Sequence, residues 1–199
     1  MKKLLHVGCG ISRKENTTAA FNTAEWRETR LDIDPDVQPD VVGSMTDMSS
    51  IASGSMDAIF SSHNLEHLYC HEVPVALAEF RRVLKPDGFA VISCPDLQSV
   101  CALVAQDRLL DTAYVSAAGS IAPLDILYGH RPALAAGKLH MAHHCGFTET
   151  LLLDVLWAAG FLAVATEARA HAFDLWALAS NAPLADTDLR YLAALHFPC

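Results

Sequence analysis

An apolar run, Leu4-Leu5-His6-Val7, opens onto the turn Gly8-Cys9-Gly10, and Asp32 follows Gly10 by 22 residues. Glycines at such a turn let backbone approach a ligand where a side chain would collide. A carboxylate ending the next strand can accept hydrogen bonds from both hydroxyls of a ribose, and its charge strengthens them. Each half of the pattern is common alone: a Gly-x-Gly turn needs no ligand, and Asp34 and Asp36 crowd Asp32. Pro35 puts Asp34 in the outgoing turn, so Asp32 is the expected ribose partner. A dinucleotide fingerprint would want a third glycine at position 13. This chain has Arg13, whose side chain would obstruct packing against a pyrophosphate, so the expected ligand lacks one.

The second set of chemical groups is a supply of 10 histidines. His63 follows an apolar strand and is the candidate general base, against the plainer role of lining the ligand. Glu66 and His67 come next, and orienting their loop by mutual hydrogen bonds is the expected task. His140, His143 and His144 have helical i, i+3 and i, i+4 spacing, and His130 stands upstream. A metal site wants three or four ligands with fixed partners. No acidic residue is near them in sequence, so no metal site is expected. The segment 111–146 separates two regular elements at a length typical of functional loops. Tyr128, His130, Arg131 and His143 give it aromatic and basic groups, and it is expected to form the acceptor pocket and lid.

These groups need a scaffold, and strands and helices alternate along the chain. Strands are predicted at about 3–7, in a second stretch after Trp26 that leads into Leu31-Asp32, and at 39–43, 55–61 and 89–94, with weak helical periodicity over 12–26. Val73, Leu77, Phe80 and Leu84 recur at helical spacing over 71–84, with Pro74 in the first turn. Another helix starts near Asp96, and the pattern over 111–146 is irregular. Thr148 caps a helix that Gly160 ends. Two strands, about 161–167 and 173–179, follow without a helix between them and should pair antiparallel. The tail 186–197 reads as a short helix. Alternation of this kind implies one doubly wound, mostly parallel α/β sheet in a single domain.

Composition narrows the partners. The 199 residues carry a formal net charge of -9, which disfavours generic nucleic-acid binding. No apolar run is long enough to span a membrane. The basic, apolar N-terminus lacks a signal-peptide cleavage site, so a cytoplasmic protein is expected. The 6 cysteines include no Cys-x-x-Cys pair and sit mostly in apolar segments, as buried thiols do in a reducing compartment.

His6-Val7-Gly8-Cys9-Gly10 resembles motif I of the class I S-adenosylmethionine-dependent methyltransferases. The run from Asp57 to Leu68, with Ser62-His63-Asn64-Leu65-Glu66-His67, resembles their fourth-strand signature. Glu79 to Phe89 is similar to their approach to the fifth strand, and Ala159-Gly160-Phe161 also fits. The likeness covers about residues 4–97. It implies a seven-stranded sheet in the order 3-2-1-4-5-7-6 with the last strand antiparallel. It further implies S-adenosylmethionine as cofactor, with Val7, Gly8, Cys9 and Gly10 beneath its methionine part. Asp32 would hold the ribose, Ile33, Ser44 and Met45 the adenine, and Ser62 and His63 would lie near the sulfonium. Many family members have an acidic residue where His6 stands, a glycine at Ser12 and an aspartate at Ser44. The leading expectation is methyl transfer to a small molecule. The alternatives are a non-catalytic cofactor- or partner-binding protein and, behind it, a nicotinamide oxidoreductase.

Overall fold

The computed structural model describes every residue except Ala117 and Cys199. Among these, strands run over β1 (Lys2–Val7), β2 (Trp26–Asp32), β3 (Val41–Val42), β4 (Met56–Ser62), β5 (Leu84–Pro95), β6 (Tyr114–Ser116), β7 (Gly119–Ile121), β8 (Ala163–Arg169) and β9 (Asp174–Ser180). The helices are α1 (Val73–Val83), α2 (Leu97–Val104), α3 (Pro123–Tyr128), α4 (Arg131–Ala135), α5 (Glu149–Ala158) and α6 (Asp186–His196).

Seven strands form one sheet in the order β3-β2-β1-β4-β5-β9-β8, and β6 and β7 make a separate hairpin. Only β9 runs against its neighbours β5 and β8. With the hairpin set aside, this is the expected order 3-2-1-4-5-7-6. Side chains alternate across the pleat, and both faces are apolar, as a sheet covered on both sides requires. Leu5, Ile59, Ile92 and Ala177 face Leu77 and Phe80 of α1 and Leu152 and Leu156 of α5. Leu4, Phe60, Val91 and Leu178 face the other way, against Phe21, Trp26 and the α6 residues Leu189 and Leu192.

The caps explain where elements begin. Asp96 accepts hydrogen bonds from the backbone of Gln98 and Ser99 at the head of α2. Thr148 accepts from Leu151 at the head of α5. Gly160, at φ 92°, then turns the chain out of α5 in the left-handed conformation that glycine adopts without strain. β5 starts at Leu84, ahead of the expected Phe89, because a shift in register between Met56 and Ala58 absorbs the residues around Pro86.

Three expectations need correction. The weak helix over 12–26 does not form; a 3-10 turn at Lys14–Asn16 takes its place. Thr17 Oγ1 donates to Lys14 O at 2.6 Å, an example of short polar side chains competing with the helix for backbone partners. Segment 111–146 is built rather than irregular, since it holds β6, β7, α3, α4 and a 3-10 turn at Leu139–Met141. Finally, Cys9 and Cys94 are buried, but Cys70 and Cys101 are exposed; Cys199 lies outside the described residues. Cys101 is exposed because α2 buries only Val100. Among the described residues no helix is long and apolar enough to cross a membrane.

Candidate active site

The crevice opens at the carboxyl ends of β1, β2 and β4, where ligands bind in open α/β sheets. Gly8 and Gly10 hold φ of 62° and 52°, a region costly for other residues. A Cβ on Gly8 would run into the Asn64 side chain. That amide donates to Val7 O and to Ser62 O, both at 3.0 Å, and so ties the end of β1 to the end of β4. Gly10 differs, because a Cβ there would meet nothing within 4 Å. Its backbone faces open space.

Two groups fix this turn from beneath. Asp32 accepts from Gly10 N at 2.7 Å through one oxygen and from Asp34 N at 2.9 Å through the other. Each oxygen keeps a further lone pair for a ligand hydroxyl. The buried Arg30 guanidinium donates to Ser12 O at 3.1 Å, Gln38 O at 2.9 Å and Gly10 O. Sequence reasoning missed Arg30 and Asn64, whose roles depend on loops meeting in space. At position 6, where an acidic residue is usual, the buried His6 Nδ1 stands 2.9 Å from Glu28 Oε1. Burial lowers the His6 pKa, while Glu28 opposes that shift.

A cavity of about 450 Å³ fills the crevice. Val7, Gly8, Gly10, Asp32, Ile33, Ser44, Met45, Ser62 and His63 all line it. Cys9 does not: it is buried away from the cavity, and burial pushes its thiol up to about 11. Ser62 and Ser93 hydroxyls pair at 2.7 Å, as do those of Ser44 and Thr46. His63 sits at φ 55°, with its N–H donating to Ser93 O at 2.8 Å. Its Nδ1 lies 3.5 Å from Glu66 Oε1, and 46% of its side-chain surface remains exposed. Burial resists protonation of His63, but the Glu66 carboxylate outweighs it and raises the pKa.

The residues expected to meet an acceptor fall out differently. Tyr128, His130 and Arg131 do not reach the cavity. Tyr128 is exposed, and Arg131 forks onto Asp125 at 2.7 and 3.0 Å. The Arg131 guanidinium holds the Asp125 carboxyl well below the usual range. His143 packs against His67, with ring centroids 4.8 Å apart, and does not line the cavity either. Segment 111–146 contributes Lys138, His140 and Met141 instead. Lys138 Nζ reaches Asp34 at 3.1 Å, and His140 Nε2 stands 3.7 Å from the same oxygen. His140 and Met141 belong to the histidine run visible in the sequence, whereas nothing there marked Lys138.

A glycine turn over a strand-end carboxylate thus lies at the switch point of a sheet closed by an antiparallel hairpin, the topology of a Rossmann-like methyltransferase fold. Residues 5–92 match the family model described as a methyltransferase domain. In this the chain is similar to the class I S-adenosylmethionine-dependent methyltransferases, a family whose cofactor is S-adenosylmethionine. No curated protein matches it in sequence.

Solved structures share the fold. A Burkholderia thailandensis 1,6-didemethyltoxoflavin-N1-methyltransferase, with bound 1,6-didemethyltoxoflavin and S-adenosylhomocysteine, is 20% identical. The match covers 89% of this chain and 70% of that one at a TM-score of 0.55. A SAM-dependent methyltransferase from Archaeoglobus fulgidus is 15% identical over 90% and 86% of the two chains, at 0.57. One from Aquifex aeolicus is 12% identical over 91% and 82%, at 0.55.

Proposed function

We propose that this protein binds S-adenosylmethionine in the crevice and transfers its methyl group to a small-molecule acceptor covered by segment 111–146. The observation that carries the reading is the single cavity shared by the bare backbone at Gly8 and Gly10, the Asp32 carboxylate and His63. When bound, S-adenosylmethionine supplies a methyl group already activated on a sulfonium. The protein's part is then to align the acceptor and exclude water.

Asp32 would hold the ribose hydroxyls, and the open face of Gly10 would admit the methionine part. Ile33, Ser44 and Met45 would hold the adenine. Lys138, His140 and Met141 would close the cavity above Asp34. His63 keeps Nδ1 toward Glu66 and is free to hold an acceptor proton at Nε2, with the neighbouring carboxylate favouring that proton. The small-molecule class is supported by the net charge of -9 and by the Burkholderia neighbour, which holds 1,6-didemethyltoxoflavin.

Calorimetric titration with S-adenosylmethionine, S-adenosylhomocysteine and NAD tests the cofactor. Saturable binding of the first two and none of NAD is expected; the reverse preference, or no binding, refutes the reading. Transfer of a labelled methyl group into a fractionated cell extract then identifies the acceptor.

A further inference from the structure

The connection after β4 and the chain before α5 dock against each other beside the cavity. Glu66 O accepts from His144 N at 2.8 Å and Cys145 N at 3.3 Å, and Leu65 O accepts from Cys145 Sγ at 3.3 Å. Two histidines are oriented by this docking. His67 Nδ1 lies 3.1 Å from Ala142 O, and His143 Nδ1 lies 2.8 Å from Ile126 O. A carbonyl oxygen only accepts, so each Nδ1 carries a proton, and in the neutral ring each Nε2 presents a bare lone pair.

Beside them stands the Glu66 carboxylate, only 1% exposed; among the described residues neither side-chain oxygen receives a hydrogen bond, and His63 Nδ1 stands off from Oε1 at 3.5 Å. A buried carboxylate without a donor is costly and calls for a cation. The ligand atoms of Glu66, His67 and His143 all lie within 4.8 Å of one another.

We propose that Glu66, His67 and His143 form a binding site for a divalent transition metal of the zinc class. Histidines that ligate a metal commonly donate their second ring N–H to a backbone carbonyl, as both do here. The ligand atoms of a tetrahedral zinc lie about 3.3 Å apart, given its bond lengths, so atoms within 4.8 Å of one another must close by up to about 1.5 Å. The Glu66 carboxylate, which no hydrogen bond restrains, supplies that movement. Its Oε1 can face His63 while Oε2 faces the metal. Two imidazoles and one carboxylate favour zinc or cobalt over magnesium, which prefers oxygen ligands. The absence of an acidic partner near the histidines holds only along the sequence; the fold brings Glu66 to them. His67 also lines the cavity, so the metal's open position would take an oxygen or nitrogen of the acceptor. That last role rests on the methyl-transfer reading, whereas metal binding does not.

The test is titration of the chelator-treated full chain with Zn²⁺ by calorimetry and with Co²⁺ by visible absorption. One equivalent should bind, Co²⁺ should develop the intense bands of a low-coordinate site, and millimolar Mg²⁺ should not compete. Glu66→Gln and His143→Ala should each weaken binding tenfold or more, while His171→Ala, at an exposed histidine, leaves it unchanged. Failure of the wild-type chain to bind one equivalent overturns the site, as does binding that survives both ligand substitutions. S-adenosylhomocysteine titrated separately keeps the two readings apart. Cofactor binding without metal binding removes this site alone; metal binding without cofactor binding removes the methyl-transfer reading alone.

Discussion

Replacing Asp32 with asparagine keeps the side-chain volume and removes its charge. In the native turn one carboxylate oxygen takes the N–H of Gly10 at 2.7 Å and the other that of Asp34 at 2.9 Å. An amide has one oxygen, so its NH2 must face one of those two N–H groups, donor against donor. Leaving one such group unpaired costs about 1–3 kcal/mol. The ribose hydroxyls also exchange a charged acceptor for a neutral one, and charge-assisted bonds are roughly twice as strong as neutral ones. The unpaired group burdens the free and the bound protein alike, so Kd reports the weakened ribose bonds, about 1 kcal/mol each or about 2 kcal/mol in all, about thirtyfold. Calorimetry with S-adenosylhomocysteine measures this directly, with circular dichroism to show that Asp32→Asn remains folded. A Kd within threefold of the native value would show that this carboxylate does not hold the ribose.

His63→Ala should lower methyl transfer by about 10²–10⁴ with Kd for S-adenosylhomocysteine nearly unchanged; an equal loss of both makes His63 a binding residue. Gly8→Ala must both adopt a left-handed backbone and displace Asn64, so urea unfolding should show a larger loss than the about 1–2 kcal/mol expected for Gly10→Ala, which meets only open space. Equal losses would mean that the Asn64 bridge contributes nothing. His196 of α6, 4% exposed and with Nδ1 2.7 Å from Thr18 Oγ1, has its pKa lowered by burial from 6.5 to about 4. The unfolded chain therefore protonates first: this contribution is full above pH 6.5 and is lost as the pH falls toward 4, by about 3 kcal/mol in all. His196→Phe should flatten urea-unfolding stability over that window, and an unchanged pH slope would refute the assignment.

Much of the crevice proposed to hold the cofactor was legible because its signals are local. Gly8-Cys9-Gly10 after an apolar run, and Asp32 before Pro35, announce a strand-end turn and a strand-end carboxylate without knowledge of any neighbour. The acceptor side was not legible in this way. Arg131 looked available in sequence, yet Asp125, six residues away, takes its guanidinium. Lys138 looked unremarkable, yet it reaches Asp34 across 104 residues of chain. The helix over 12–26 failed because Asn and Thr side chains there bond to nearby backbone, a competition that a weak apolar period does not reveal.

By itself, the sequence determined the succession of the seven strands of the main sheet, though not the β6–β7 hairpin, because alternating apolar residues and glycine punctuation act through near neighbours. The tertiary structure alone decided which polar groups meet. Glu66 acquires His67 and His143 only because the loop after β4 and the chain before α5 share backbone hydrogen bonds. Arg30 and Asn64 gain their partners in the same way, from loops far apart in the chain. Contacts of that kind depend on how the sheet edge closes, and no local pattern of residue types encodes it.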